Sequence, residues 1–188
     1  MYEKGTRCVE EGGEVEDRFA GFLPEWFPNQ TLNVQRTPRG GHEDRVLGID
    51  VYATIGGKLF SFDVKKRKKE NRSDSSPSAR FHVVEWTGVS GHPGWVRKSA
   101  NFVAFEEEDC FLIVPRSALE NLLRQRRSKT TLIKRGRLEP EPYQLYQRPN
   151  NADEIAYVPF DDIQALPGVK KWSLCESSPS VTDMSVNT

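Results

Sequence analysis

Between Val46 and Lys69 the chain reads VLGIDVYATIGGKLFSFDVKKRKK, and this stretch limits the fold more than any other. Gly56-Gly57 separates two runs rich in β-branched and aromatic residues. Paired glycines in that setting mark a two-residue hairpin, because both turn positions call for positive φ. With these glycines at the turn, Ile55 faces Lys58, Tyr52 faces Ser61, Asp50 faces Asp63 and Gly48 faces Lys65. Side chains alternate faces along a strand. One face of the ribbon then carries Leu47, Ile49, Val51, Ala53, Phe60, Phe62 and Val64, a core face. The other carries Gly48, Asp50, Tyr52, Ser61, Asp63 and Lys65. Directly opposed residues hold their Cβ atoms about 4.5–5.5 Å apart, so Asp50 and Asp63 repel unless a positive charge lies between them. Hard divalent cations such as Mg²⁺ take one or two carboxylates and keep waters and substrate phosphates as their other ligands. The plainer reading is a solvated hairpin with two acids and a lysine tail.

The segments GID and FDVK resemble the motif of the PD-(D/E)xK nuclease superfamily, in which an Asp on one strand precedes an acid-x-Lys triplet on the next. Asp50 takes the first position and Asp63-Val64-Lys65 the triplet; Ile49 stands where the family's name has Pro. The resemblance implies an α/β (α+β mixed) fold, a restriction-endonuclease-like core whose central mixed β-sheet is flanked by helices. It implies Asp50, Asp63 and Lys65 as catalytic residues. Mg²⁺, with Mn²⁺ as a substitute, would be held by Asp50, Asp63 and the Val64 carbonyl. Lys65 would orient the attacking water or neutralise the transition state. The implied reaction is phosphodiester hydrolysis leaving a 5′-phosphate and a 3′-hydroxyl, by an endonuclease acting on DNA in preference to RNA.

Upstream, Glu14 to Leu23 has the spacing of a short amphipathic helix, with Val15, Phe19, Phe22 and Leu23 on one side. Nuclease folds of this superfamily commonly open with a helix whose acid reaches the metal. Glu16, at the rim of the apolar face, is the candidate, with Glu14 behind it; a surface acid favoured by the helix dipole is the competing reading. Residues 1–13 read as loose and polar, and Pro24 to Pro28 as the helix stop. Thr31 to Arg36 reads as a strand or extended approach. His42, Glu43 and Asp44 lie in a turn-rich stretch read as a polar loop.

Lys+Arg and Asp+Glu both number 27 in 188 residues. That balance excludes a wholly basic binder but leaves room for local basic clusters. Lys66, Arg67, Lys68, Lys69 and Arg72 continue the strand that carries Lys65. A second tract, Arg124 to Arg137, includes Arg124, Arg126, Arg127 and Lys129. Both are candidate nucleic-acid contacts, since such groups set affinity for phosphates rather than sequence choice; solvated surface and a charged helix end are the alternatives. Phe81 to Trp86, Asn101 to Phe105 and Cys110 to Val114 read as strands, with His82 on the less buried face of the first. Ser117 and Glu120 form a capping-box pattern for a helix with Leu119, Leu122 and Leu123 as its stripe. Tyr143 and Tyr146 pack onto the body or stack on bases. Ile155 to Pro159 reads as a short strand, and Asp161 to Leu166 as a helical turn.

The length suggests one domain over 1–172. Its core spans about 14–126, with a C-terminal extension over 127–172 and a flexible tail over 173–188. Cys8, Cys110 and Cys175 have no metal-ligand spacing. There is no apolar leader and no stretch of membrane-spanning length. These features point to an intracellular protein, cytoplasmic or nucleoid-associated, with no membrane partner. Cutting both strands of a duplex normally requires two sites, which makes a homodimer an expectation. Two other classes compete with the nuclease. One is a catalytically silent nucleic-acid-binding subunit on the same fold. The other is a protein–protein adaptor with an incidental acidic face.

Overall fold

The computed structural model describes residues 3–71, 73–134 and 139–174. They form a mixed α/β structure that divides into two compact units. The first unit takes in residues up to Lys66, then Ala100–Ile113, then the chain from Lys170. The second takes in Arg67–Ser99 and Val114–Val169.

The first unit opens with helix α1 (Glu3–Trp26). This is longer at both ends than the sequence expectation. Lys, Arg and Glu, good helix formers, dominate the segment before Glu14 and offset Gly5, Gly12 and Gly13. The helix ends at Trp26, inside the stretch 24–28 expected to stop it, with Pro24 taken into its last turn and the Phe27 N–H donating to the Leu23 carbonyl at 3.1 Å. Strands β1 (Leu32–Arg36), β2 (Val51–Ile55) and β3 (Lys58–Lys65) follow as an antiparallel meander. The β2–β3 turn has φ of 56° at Gly56 and 82° at Gly57, so an L side chain at either position is strained. A π-helical turn, Glu43–Leu47, precedes β2, with Gly48 at φ 63° ending it. His42, Glu43 and Asp44 belong to this turn, where the Asp44 carboxylate accepts the Gly40 N–H at 2.6 Å. In chain order after β4 (Phe81–Thr87) come β5 (Phe102–Glu106) and β6 (Cys110–Pro115), close to the expected strands. The six-stranded sheet has the order β1-β2-β3-β5-β6-β10, where β10 is Lys170–Ser173. The β3–β5 pair is parallel and β10 returns antiparallel to β6.

One face of this sheet packs on α1. Val15, Phe19, Leu23, Trp26 and Phe27 meet Val51, Ala53, Ile55, Phe60, Phe62, Phe111 and Trp172 in one core. Phe19 is its hub: its ring lies 5.1 Å from both Phe62 and Phe111. Cys110 is a buried thiol, pushed up to about 12 by that burial.

The second unit contains a four-stranded mixed sheet of order β4-β9-β8-β7, where β7 is Thr131–Ile133, β8 Leu145–Gln147 and β9 Glu154–Pro159. It also holds α2 (Arg116–Arg126), α3 (Phe160–Gln164) and a 3₁₀ turn at Trp95–Arg97. Two sequence expectations are corrected here. His82 lies on the inward face of β4 with Val84 and Trp86, 6% exposed, and its ring sits 5.5 Å from Phe160. Ser117 does not cap α2: the helix already begins at Arg116 behind Pro115, and Glu120 binds Arg116 and Arg124 instead. Tyr143 and Tyr146 are buried, and the Tyr143 hydroxyl donates to Asp162 at 2.5 Å. Of the tail expected to be flexible over 173–188, Ser173 instead belongs to β10 and the Leu174 N–H donates to the Asp109 carbonyl at 2.9 Å; the part from 175 lies outside the described residues, as does Arg72. Among the described residues, no helix is long and apolar enough to cross a membrane.

Candidate active site

The hairpin pairs Val51 with Phe62, Tyr52 with Ser61 and Ala53 with Phe60, the register that the glycine turn dictates. Beyond Val51 the ladder shifts. The Asp50 N–H donates to the Phe62 carbonyl at 2.9 Å, so Asp50 and Val51 both lie against Phe62. This is a bulge, which re-aims a side chain while the strand continues. The Asp50 carboxylate turns to the edge of β3 and accepts the Val64 N–H at 2.7 Å. Thr37 holds Asp50 from the other side, its N–H donating to the Asp50 carbonyl at 3.0 Å and its hydroxyl to the Ile49 carbonyl at 2.6 Å.

Asp63 and Lys65 leave the same face of β3, two residues apart. The Lys65 ammonium donates to Asp63 Oδ1 and lies 4.0 Å from Asp50 Oδ2. The three groups converge on one spot, Asp63 and Lys65 through their shared face of β3 and Asp50 through the bulge, which replaces the expected pairing of Asp50 with Asp63. Exposure falls steeply across it: the side chains of Lys65, Asp50 and Asp63 are 21%, 12% and 2% exposed. The site opens through Lys65 and Asp50, and Asp63 forms its floor. Ser61, on the same face, is buried too, and bonds Asn101 through its N–H at 3.0 Å and its hydroxyl at 2.9 Å. The alternative of a solvated second face does not hold at Ser61 and Asp63, both of which are buried.

Burial drives the electrostatics. Desolvation pushes the Asp63 carboxyl up to about 8; the Lys65 charge opposes this and the Asp50 charge adds to it. Asp63 Oδ2 is buried without a hydrogen-bond partner. Such an atom calls for a proton or a cation.

Glu16 sits on α1, half-buried, next to exposed Asp17 as the rim position requires. Burial raises its carboxyl and the Asp50 charge adds to that, while Arg39 and Arg36 pull the other way. Arg36 bridges Glu16 and Asp17, and Arg39 lies 3.6 Å from Glu16. Glu14 is exposed. Among the described residues, no three acidic, His or Cys side chains come together closely enough to hold a metal ion. Glu16 thus faces the site electrostatically while its carboxylate serves the two arginines. Arg36, Arg39 and Thr37 are supports that the hairpin pattern does not reveal; their only signal is their place at the end of β1 and just after it.

Val64 donates its N–H to Asp50, and its carbonyl leaves the strand on the same edge, as the hydrogen-bonding groups of one strand residue do. Of the basic candidates after Lys65, Lys66 is half-buried, and Lys68 and Lys69 are exposed. Arg67 donates to the Ser78 carbonyl at 3.2 Å, closing the loop that follows. In the second unit, Arg126 pairs with Asp162 at 3.0 Å and lies over Tyr143, a structural role. Lys129 is exposed, and Arg124 and Arg127 lie over Trp86. Compared with protein-family models, with curated proteins and with solved structures, the chain matches none.

Proposed function

We propose that this chain is a metal-dependent nuclease on a restriction-endonuclease-like core, hydrolysing phosphodiester bonds in nucleic acid, DNA before RNA. The observation that carries the reading is the buried, unpartnered Asp63 Oδ2 beside a second carboxylate and an amine at the mouth of the site. The donor set suits a hard cation. Two carboxylates and the Val64 carbonyl supply oxygen, and among the described residues no imidazole or thiolate joins them to favour a softer metal. With only two acids converging, water and phosphate oxygens would complete the shell, the usual arrangement for Mg²⁺.

Mg²⁺ or Mn²⁺ held there would acidify a water and offset charge on the phosphate. The protein's own groups do the rest. The Val64 N–H and the bulge fix the Asp50 carboxylate in direction before any ligand arrives. Asp63, fully enclosed, offers one oxygen whose alternative to a cation is a proton. Lys65 holds its charge between both acids and is the most exposed of the three, so it is the group that reaches an incoming phosphate. A preorganised ammonium at that point stabilises the charge that builds in the transition state. Lys66, next along the chain and in the same unit, supplies a sequence-independent phosphate contact.

Incubating plasmid and single-stranded DNA with the protein in Mg²⁺, Mn²⁺ or EDTA tests the reading. Cleavage that needs the cation is the expected result. Binding without cleavage in every condition would instead make the chain a silent nucleic-acid-binding subunit.

A further inference from the structure

Trp86 lies near the end of β4 with its side chain turned inward, 6% exposed. Three guanidinium groups close over its ring. Arg97, from the 3₁₀ turn, is 4.9 Å from the ring centroid; Arg127, just past α2, is 4.4 Å away, and Arg124 is 5.6 Å away. All of these residues belong to the second unit. Gly94 makes the convergence possible. Its N–H donates to the Trp86 carbonyl at 3.0 Å, and a Cβ there would lie 2.2 Å from the Glu85 carbonyl oxygen.

Three like charges around one indole repel, and the ring quadrupole offsets only part of that. Glu120 compensates one of them, pairing with Arg124 at 2.6 Å. Among the described residues, Arg97 and Arg127 have no acidic partner, and Arg127 Nε is buried without an acceptor. Arg97 and Arg124 are exposed and Arg127 is half-buried. The indole holds the three guanidinium carbons within 5.6 Å of its centre. A planar fork presents paired N–H donors to phosphate oxygens, which a lysine cannot do. Because the arginines cover it, Trp86 does not present a face to a base. Lys129, exposed two residues beyond Arg127, adds a further positive charge next to the cluster, a spread that suits a long polyanion better than a single ion.

We propose that Arg97, Arg124 and Arg127, seated on Trp86, form a clamp for the phosphate backbone of nucleic acid that does not read its sequence. The clamp rests on the nuclease reading only for the choice of nucleic acid as the polyanion. The test is fluorescence anisotropy in EDTA, with labelled single- and double-stranded oligonucleotides of unrelated sequence. Wild type is compared with the pairs Arg97→Gln/Arg127→Gln and Arg97→Lys/Arg127→Lys, thermal unfolding reporting the fold of each.

For duplex DNA the slope of log affinity against log salt is about −0.9 per phosphate neutralised. The Gln pair should bind every sequence about tenfold or more weakly, with a slope smaller in magnitude by about 2. The Lys pair should keep the slope and lose part of the affinity. If the Gln pair does not fold, the Lys pair decides: weaker binding at unchanged slope supports the clamp, and unchanged affinity overturns it. A Gln pair that binds as wild type does would overturn it. So would a loss confined to one sequence, a wild type that binds no oligonucleotide, or displacement by polyglutamate at equal charge concentration. EDTA removes cleavage from the readout. A wild type that binds in this way yet never cleaves with Mg²⁺ leaves the clamp standing and removes the nuclease.

Discussion

A carboxyl as enclosed as Asp63 avoids an unfavourable charge with either a proton or a cation. Without a cation it keeps the proton, its ordinary value of 3.8 rising to about 8 in the fold. The folded chain then binds one more proton than the unfolded chain between those two values. Its contribution to stability is complete below about 3.8 and is lost as pH rises through about 8. The slope from this one group is at most about 1.4 kcal/mol per pH unit. The EDTA-treated protein should therefore lose stability from mildly acid to mildly alkaline pH. Asp63→Asn keeps the shape, accepts from Lys65 and can donate to Asp50. It should remove this group's share of the slope and raise Tm in EDTA at alkaline pH by several degrees. The same substitution should abolish divalent-cation binding by calorimetry. Thermal unfolding across pH checks the first half; a variant with the wild-type slope would show that Asp63 does not hold the extra proton.

At the level of elements, the hairpin is legible in the sequence because two constraints coincide. Gly56-Gly57 sets the turn, and a period-2 pattern sets the faces. Together they leave one register from Val51 to Ile55 and put Asp63 and Lys65 on one face, while the convergence of Asp50 with them is completed by a bulge. Other features depend on contacts that no local pattern encodes. The bulge at Asp50 comes from Thr37 on one side and Val64 on the other. His82 has an ordinary strand context, and its inward direction is decided by Phe160, far along the chain. Ser117 and Glu120 satisfy a capping pattern, yet the helix already starts at Arg116 and Glu120 answers two arginines. The cluster on Trp86 is invisible for the same reason: Arg97 and Arg127 are distant in sequence and meet only through Gly94 and the end of α2. Gly94→Ala would drive a Cβ into the Glu85 carbonyl, 2.2 Å away. It should cost about 1–3 kcal/mol, the scale of overpacking a close contact. By dislodging the turn that carries Arg97 it should also weaken oligonucleotide binding. Denaturant unfolding and anisotropy read the two effects, and a fully stable Ala variant would contradict the close approach.

Across the whole molecule, the chain builds its first unit from three separate stretches and the second from the two between them. Composition and length suggest one domain over 1–172 that includes a C-terminal extension over 127–172, and nothing in the local sequence marks where a strand will find its sheet. β10 makes the point: it lies at the end of that expected extension, yet Trp172 completes the core under α1, stacking at an interplanar angle of 4° with Phe19. The Trp26 indole N–H donates to the Ser173 carbonyl at 2.8 Å, fastening the last strand to the first helix. Trp172→Ala should destabilise the protein by about 3–5 kcal/mol, the range for removing a large buried aromatic, read as a shift in the denaturant midpoint. A change under about 1 kcal/mol, the ordinary scale of surface substitutions and minor repacking, would mean the first unit does not depend on its returning strand. The catalytic proposal stands on that frame, since α1, β2 and β3 position the acids that flank Lys65. The most direct measurement is Mg²⁺-dependent DNA cleavage by wild type and by Lys65→Ala, with thermal unfolding of both. Wild type should cleave until EDTA is added, and Lys65→Ala should fold yet show no detectable cleavage. Equal cleavage by the two proteins, or none by wild type with any divalent cation, would contradict the catalytic proposal.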